Sequence, residues 1–271
     1  MTSESRPSPL APRPSARRPW LLAECSYADF KTALPAVAVL PFGATEPHNL
    51  HLPYATDNIE ADLVGEAICR AAYEQNAWCV CAPTIPYGTE TNQHRYPFAM
   101  NLQPSTILAV LRDLVESLER TGVKKCVILN SHGGNEFKGC LRELFSRTQV
   151  HLFLCDWFTV GKDRYHDFFM HPDDHAGEME TSLILHARPE LVDLAAADPG
   201  AVAALRFEAL QKGWVKMTRP WHLLTTNSGA GDPRHASADK GQRFLAFLVS
   251  RLAPFLIDLA RSPLDDRFPF E

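Results

Sequence analysis

Between Pro41 and Asp57 the chain reads PFGATEPHNLHLPYATD, which sets Glu46, His48, His51 and Asp57 directly after an apolar run. Alternate residues of an extended segment point the same way, so Glu46 and His48 can address one centre, and Pro47 biases Glu46 towards the extended region. Asp57 adds a second carboxylate. Carboxylate and imidazole together suit zinc, manganese or iron rather than the thiolate-rich structural zinc class. The same residues have ordinary roles too: Glu46 as a solvated loop residue, the histidines as packing groups, Asp57 as the N-cap of a following helix. Two later segments weigh towards chemistry. NSHGGN at 130–135 places His132 before Gly133 and Gly134, which let a backbone approach a ligand closely. DDHAGEMETS at 173–182 gathers His175, Glu178 and Glu180 where a helix begins, although both glutamates could simply favour the helix dipole.

The elements that must position these groups alternate between strand and helix. PAVAVLPFG is a buried strand, and residues 58–75 carry apolar positions at Ile59, Leu63, Ala67, Ile68 and Ala71, the spacing of an amphipathic helix. A short helix is expected at 27–34. WCVCAPTI reads as a second strand, and residues 86–104 as a long connection with three prolines, a length that is usually functional. A helix over 105–120, closed by Gly122, leads to the strand KKCVILN, then a helix over 136–148 and the strand HLFLCDW. Residues 199–235 read as irregular, and a helix over 236–260 closes the chain. This order predicts an α/β fold with a mostly parallel sheet covered on both faces, whose sites form beyond the carboxyl ends of the strands. PFGATEPH and NSHGGN both fall at such ends.

Composition bounds the function. The chain has 271 residues, 45% of them hydrophobic, and a net charge of -5, which offers no electrostatic footprint for nucleic acid or an anionic membrane. Partners are therefore expected to be small molecules or further copies of the chain. Seven irregularly placed cysteines read as reduced core thiols. Residues 1–20, rich in Pro, Ser and Arg without a continuous apolar stretch, read as a disordered tail, and residues 21–271 as a single domain in a cytoplasmic protein. His132-Gly133-Gly134 lacks the pattern of a P-loop or a dinucleotide fold.

Together the three polar islands resemble the creatininase (creatinine amidohydrolase) family, whose pattern is E-x-H-G-x-H-L-P…D, N-G-H-G-G-N and H-A-G-E-x-E-T-S; the G-x-G-D-P…A…K-G stretch at 229–241 is similar to its tail. The resemblance implies a three-layer α/β/α domain, two divalent metal ions bridged by one aspartate, and a homo-hexamer. By motif position, Glu46, Asp57 and His132 would hold one ion, and His48 with the bridging Asp57 the other. Where creatininase proper has a second-metal glutamate, this chain has Gly134, and Glu178 is the expected replacement. Glu180, His51, Gly133, Gly134 and Asn135 would support the centre or touch substrate.

The activity expected from this resemblance is hydrolysis of a non-peptide C–N bond in a cyclic, creatinine-like amide. Two ions sharing Asp57 would lower the pKa of a water held between them, His175 would carry the proton to the leaving nitrogen, and backbone amides near Gly133 and Gly134 would hold the oxyanion. Alternatives are a formamide hydrolase, a ring-opening hydrolase of a carbocyclic ketone, or an inactive binding or cofactor-maturation protein. P-H-N-L-H at 47–51 and F-A-M-N at 98–101 depart from the family's Q-H-G-P-H and F-P-G-T, and weigh against creatinine itself.

Overall fold

The structure, a computed structural model, describes residues 17–271. Four parallel strands, β1 (Val37–Phe42), β2 (Cys79–Cys81), β3 (Lys125–Asn130) and β4 (His151–Asp156), form one sheet in the order β2-β1-β3-β4. The helices are α1 (Thr56–Glu74), α2 (Pro104–Thr121), α3 (Phe137–Leu144), α4 (Glu178–Ala187), the short α5 (Glu208–Gln211) and α6 (Trp221–Leu224), and α7 (Ala238–Arg261).

Strand alternation divides the core into two layers. Val37, Val39, Val127 and Leu129 face residues of α1, α4 and α7, among them Val64, Leu183 and Leu248. Leu40, Phe42, Cys126 and Ile128 face Leu111 and Val115 of α2 and Phe137 and Cys140 of α3. The α/β architecture thus has helices on both faces of the sheet. Local chemistry sets several boundaries. Pro104 opens α2 at its first position, and Gly122 closes it at φ 91°, where a side chain would be strained. The side chain of Ser237 caps α7.

Three expectations shift. β2 spans three residues rather than WCVCAPTI, because Pro83 follows and has no N–H for a ladder. The helix at 27–34 is a single 3-10 turn, Tyr27–Phe30, and the helix expected over 136–148 stops at Leu144. The expected tail lies outside the described residues up to position 16; Pro19 and Trp20 are held, their carbonyls accepting from Trp78 Nε1 at 2.9 Å and the Cys81 amide at 2.8 Å. All seven cysteines are free, and no helix among the described residues is long and apolar enough to cross a membrane.

The register pairs Phe42 with Asn130, so the loops leaving β1 and β3 rise side by side. The site stands there.

Candidate metal centre

Glu46 and His48 lie in a tight loop after β1, closed by the Glu46 amide donating to the Tyr54 carbonyl at 3.1 Å. Asn49 turns this loop at φ 55°, a conformation asparagine tolerates. Asp57 lies in the first turn of α1. Ala55 is the N-cap residue and makes no side-chain cap, so the Asp57 carboxylate is free to turn to the loops. His132 leaves the end of β3, its amide donating to Asn130 Oδ1 at 3.1 Å. Asn135 binds the ends of β1 and β3 to the long loop after β2: its Nδ2 donates to Gly43 O at 3.3 Å and Asn130 Oδ1 at 3.2 Å, and its Oδ1 accepts from the Thr89 amide at 3.0 Å.

The sequence-predicted residues converge in overlapping groups, Glu46/Asp57/His132, His48/Asp57/Glu180 and Glu46/His48/His175, each with ligand atoms within 4.8 Å of one another. Asp57 turns Oδ1 to His48 Nε2 at 3.0 Å and Oδ2 to His132 Nδ1 at 3.1 Å. Each imidazole is fixed from behind by a backbone carbonyl, which can only accept. His48 Nδ1–H donates to Glu46 O at 3.0 Å, His132 Nε2–H to Thr89 O at 3.2 Å, and His175 Nε2–H to Pro47 O at 2.8 Å. In the neutral ring the nitrogens facing the carboxylates are therefore the ones with lone pairs, the orientation of a metal-ligating histidine, and a proton there stands where a metal ion would bind. Glu46 Oε1 and Asp57 Oδ2 are buried without a hydrogen bond of acceptable geometry, although His132 Nδ1 lies 3.1 Å from each. Lone pairs that converge in this way call for a cation, and two carboxylates with two or three imidazoles fit a divalent metal.

The electrostatics agree. Burial pushes the His48 imidazole down, but Asp57, Glu180 and Glu46 outweigh it and hold it at about 10; His132 is raised in the same manner by Glu46 and Asp57 against burial. Burial opposes ionisation of Glu46 and Asp57 too, yet the imidazoles hold both carboxyls below their usual range. Burial raises Glu180 to about 8, assisted by Asp57 and Asp173. Burial and His48 lower His175. The pocket favours positive charge at the inner nitrogens.

Glu178 departs from expectation. Its fully buried carboxylate pairs with Lys240 Nζ and accepts from the amides of Met170 at 2.7 Å and His171 at 3.3 Å, away from the cluster. Glu180 takes the place expected of it, with Oε2 4.0 Å from His48 Nε2. Residues two apart on a helix point about 200° from each other, so only one of the pair can face the strand ends. His51 is bonded to Thr181 Oγ1 at 2.8 Å and joins none of the ligand groups. A Cβ on Gly134 would meet His132 Nε2 and Thr89 O at 2.3 Å, so glycine there permits the bond that orients His132. Gly133 has open space on its side-chain face, and both glycines line a cavity of about 1250 Å³ that reaches Glu46, Asp57, His175 and Glu180.

Sequence reasoning missed Gln93 and Glu90. Gln93 Nε2 donates to Glu46 Oε2, which leaves Oε1 for the cluster. Glu90 Oε1 lies 4.0 Å from His132 Nε2, and burial raises its carboxyl to about 8. Both belong to the long loop after β2, whose length was the available signal. Glu60, one turn along α1 from Asp57, is also buried, with neither oxygen hydrogen-bonded.

Fold and site define a class, an α/β protein with a buried carboxylate and imidazole centre at the carboxyl ends of a parallel sheet. The creatininase family profile, described as creatinine amidohydrolase, matches residues 23–256, and the chain belongs to that family. It is 29% identical to a mycofactocin precursor peptide peptidase of Mycobacterium ulcerans (strain Agy99), over 78% of this chain and 80% of that one. Against the creatinine amidohydrolase of Pseudomonas putida it is 28% identical, over 64% of this chain and 74% of the other. A solved Bacteroides fragilis NCTC 9343 chain with a provisional creatinine amidohydrolase name gives a TM-score of 0.85 at 36% identity, covering 92% of this chain and 99% of that one. A creatininase structure named for manganese gives 0.72 at 22% identity, covering 90% and 100%, a likeness of fold alone. The relatives are hydrolases.

Proposed function

We propose that this chain is a divalent-metal-dependent amidohydrolase that cleaves the C–N bond of a non-peptide, cyclic amide. The observation that carries the reading is Asp57 set between two imidazoles, each turning its inner nitrogen to the carboxylate because a backbone carbonyl holds its far nitrogen. Glu46, Asp57 and His132 would hold one ion, and His48, Asp57 and Glu180 a second; creatininase structures named for manganese and of Zn-Zn type support the choice of metal. Bound there, divalent ions would polarise a substrate carbonyl and acidify water.

The chain's own groups supply the rest. With Nε2–H committed to Pro47, His175 has Nδ1 open towards the cluster, 3.6 Å from Glu46 Oε1. That nitrogen can take a proton from the attacking water and return it to the leaving nitrogen. Among the described residues the amides of Gly133 and Gly134 have no backbone acceptor, and they border the cavity, where they can receive a developing oxyanion. Gln93 keeps Glu46 oriented. Assembly as a homo-hexamer belongs to the same reading; a light-scattering mass near 30.3 kDa would contradict it.

A second reading, hydrolysis of a peptide, is favoured by the cavity. At about 1250 Å³ it exceeds the roughly 300–1,000 Å³ of sites for drug-sized ligands, far more than a small cyclic amide fills. The mycobacterial relative is named for a peptide substrate. The deciding experiment is a hydrolysis screen of zinc- or manganese-loaded protein against creatinine, formamides, lactams, inosose-type ketones and short peptides. Turnover of a cyclic amide supports the first reading, turnover of peptides alone transfers support to the second, and cleavage of the ketones alone contradicts both.

A further inference from the structure

Glu178 and Lys240 stand behind the centre, where nothing in the proposed chemistry uses them. Glu178 is fully buried, and a buried carboxylate requires a partner. It has three. Lys240 Nζ pairs with Oε1, and the amides of Met170 and His171 donate to Oε2. Lys240 also donates to His235 O at 2.8 Å, so one ammonium joins the start of α7, the segment before it and the first residue of α4. The helices are pressed close enough for this reach: a Cβ on Gly241 would lie 2.0 Å from Ser182 O. Ser182 reinforces the joint, its Oγ donating to Glu178 O at 2.7 Å and accepting from Ser237 N at 3.2 Å.

The joint clamps both ends of the stretch that carries His175. Met170 and His171 are fixed on one side and α4 on the other, while between them Ala176 stands at φ 54° and His175 pairs with Ala230 through two backbone hydrogen bonds of 3.1 and 2.8 Å. Glu180 lies two residues past the clamp, and its Oε2 accepts from the Ala176 amide. We infer that Glu178 and Lys240 are positioning residues, an ion pair that sets where His175 and Glu180 face Asp57 and so tunes the affinity of the metal centre without touching a metal. The inference rests on the proposed metal reading.

The test is a zinc-competition titration of metal-stripped, folded protein, comparing wild type with Glu178→Gln, Lys240→Met and Lys240→Arg, each with its metal-free melting temperature. Loss of an outer partner typically weakens metal binding by about 10–100-fold. Glu178→Gln and Lys240→Met are expected to weaken the weaker site by that amount, still filling at high zinc, and Lys240→Arg to return it to within about threefold of wild type. If Lys240→Met does not fold, Glu178→Gln and Lys240→Arg decide. Zinc affinity within about twofold of wild type in Glu178→Gln overturns the inference, as does permanent loss of one equivalent in that variant alone, which makes Glu178 a ligand. Wild-type protein that takes up no zinc overturns the metal reading instead.

Discussion

Asp57 holds Oδ1 3.0 Å from Nε2 of His48 and turns its other oxygen to the opposite side of the site. That second oxygen faces His132, so a single carboxylate is common to both groups of candidate ligands. Asp57→Asn should therefore lower the saturating metal content from the proposed two ions per chain to below one and abolish turnover. Elemental analysis checks it, and retention of both ions would remove Asp57 from the bridge.

Burial and His48 lower the pKa of His175, and its Nε2 is committed to Pro47. His175→Ala should keep the metal content and lower kcat by about 10²–10⁴-fold, the range for loss of a general acid or base. Because His175 also groups with Glu46 and His48, loss of metal in this variant would make it a ligand.

The adjacent glycines separate orientation from access. Gly134→Ala puts a Cβ against His132 Nε2 and Thr89 O, and should cost about 1–3 kcal/mol of stability and weaken metal binding. Gly133→Ala meets nothing within 4 Å and should leave melting and metal content unchanged. Equal effects in the two variants would contradict the placement.

Asp173 supplies a pH dependence. Burial raises its carboxyl to about 6, above the unfolded value near 3.8. The folded state then binds the proton more tightly, so this group's contribution to stability declines as pH rises from about 4 to 6 and stays low above. Asp173→Asn should flatten that fall and stabilise metal-free protein at pH 8 by about 2 kcal/mol relative to pH 4, measured by denaturant melts. An unchanged pH profile would refute it.

The strands, the two principal helices and the first two polar islands were legible because each rests on local pattern: short, nearly continuous apolar runs at 37–42 and 125–130, buried along their whole length, helical spacing in 56–74, and glycine after α2. The choice between Glu178 and Glu180 was not local. It depends on which face of α4 meets the strand ends, and that phase is held by Lys240, sixty-two residues further along. Gln93 and Glu90 were hidden for a related reason, since a loop without periodicity does not reveal which side chains turn inward. β2 was expected in the right place but too long, because apolar content is a weaker signal than a proline that cannot extend the ladder.

The account turns on Glu180, not Glu178, as the glutamate that faces the centre. Equilibrium dialysis against saturating zinc, with elemental analysis of wild type, Glu180→Gln and Glu178→Gln, tests it most directly. The account predicts close to two ions per chain in wild type and Glu178→Gln, and close to one in Glu180→Gln; two in Glu180→Gln with one in Glu178→Gln, or none in wild type, would contradict it.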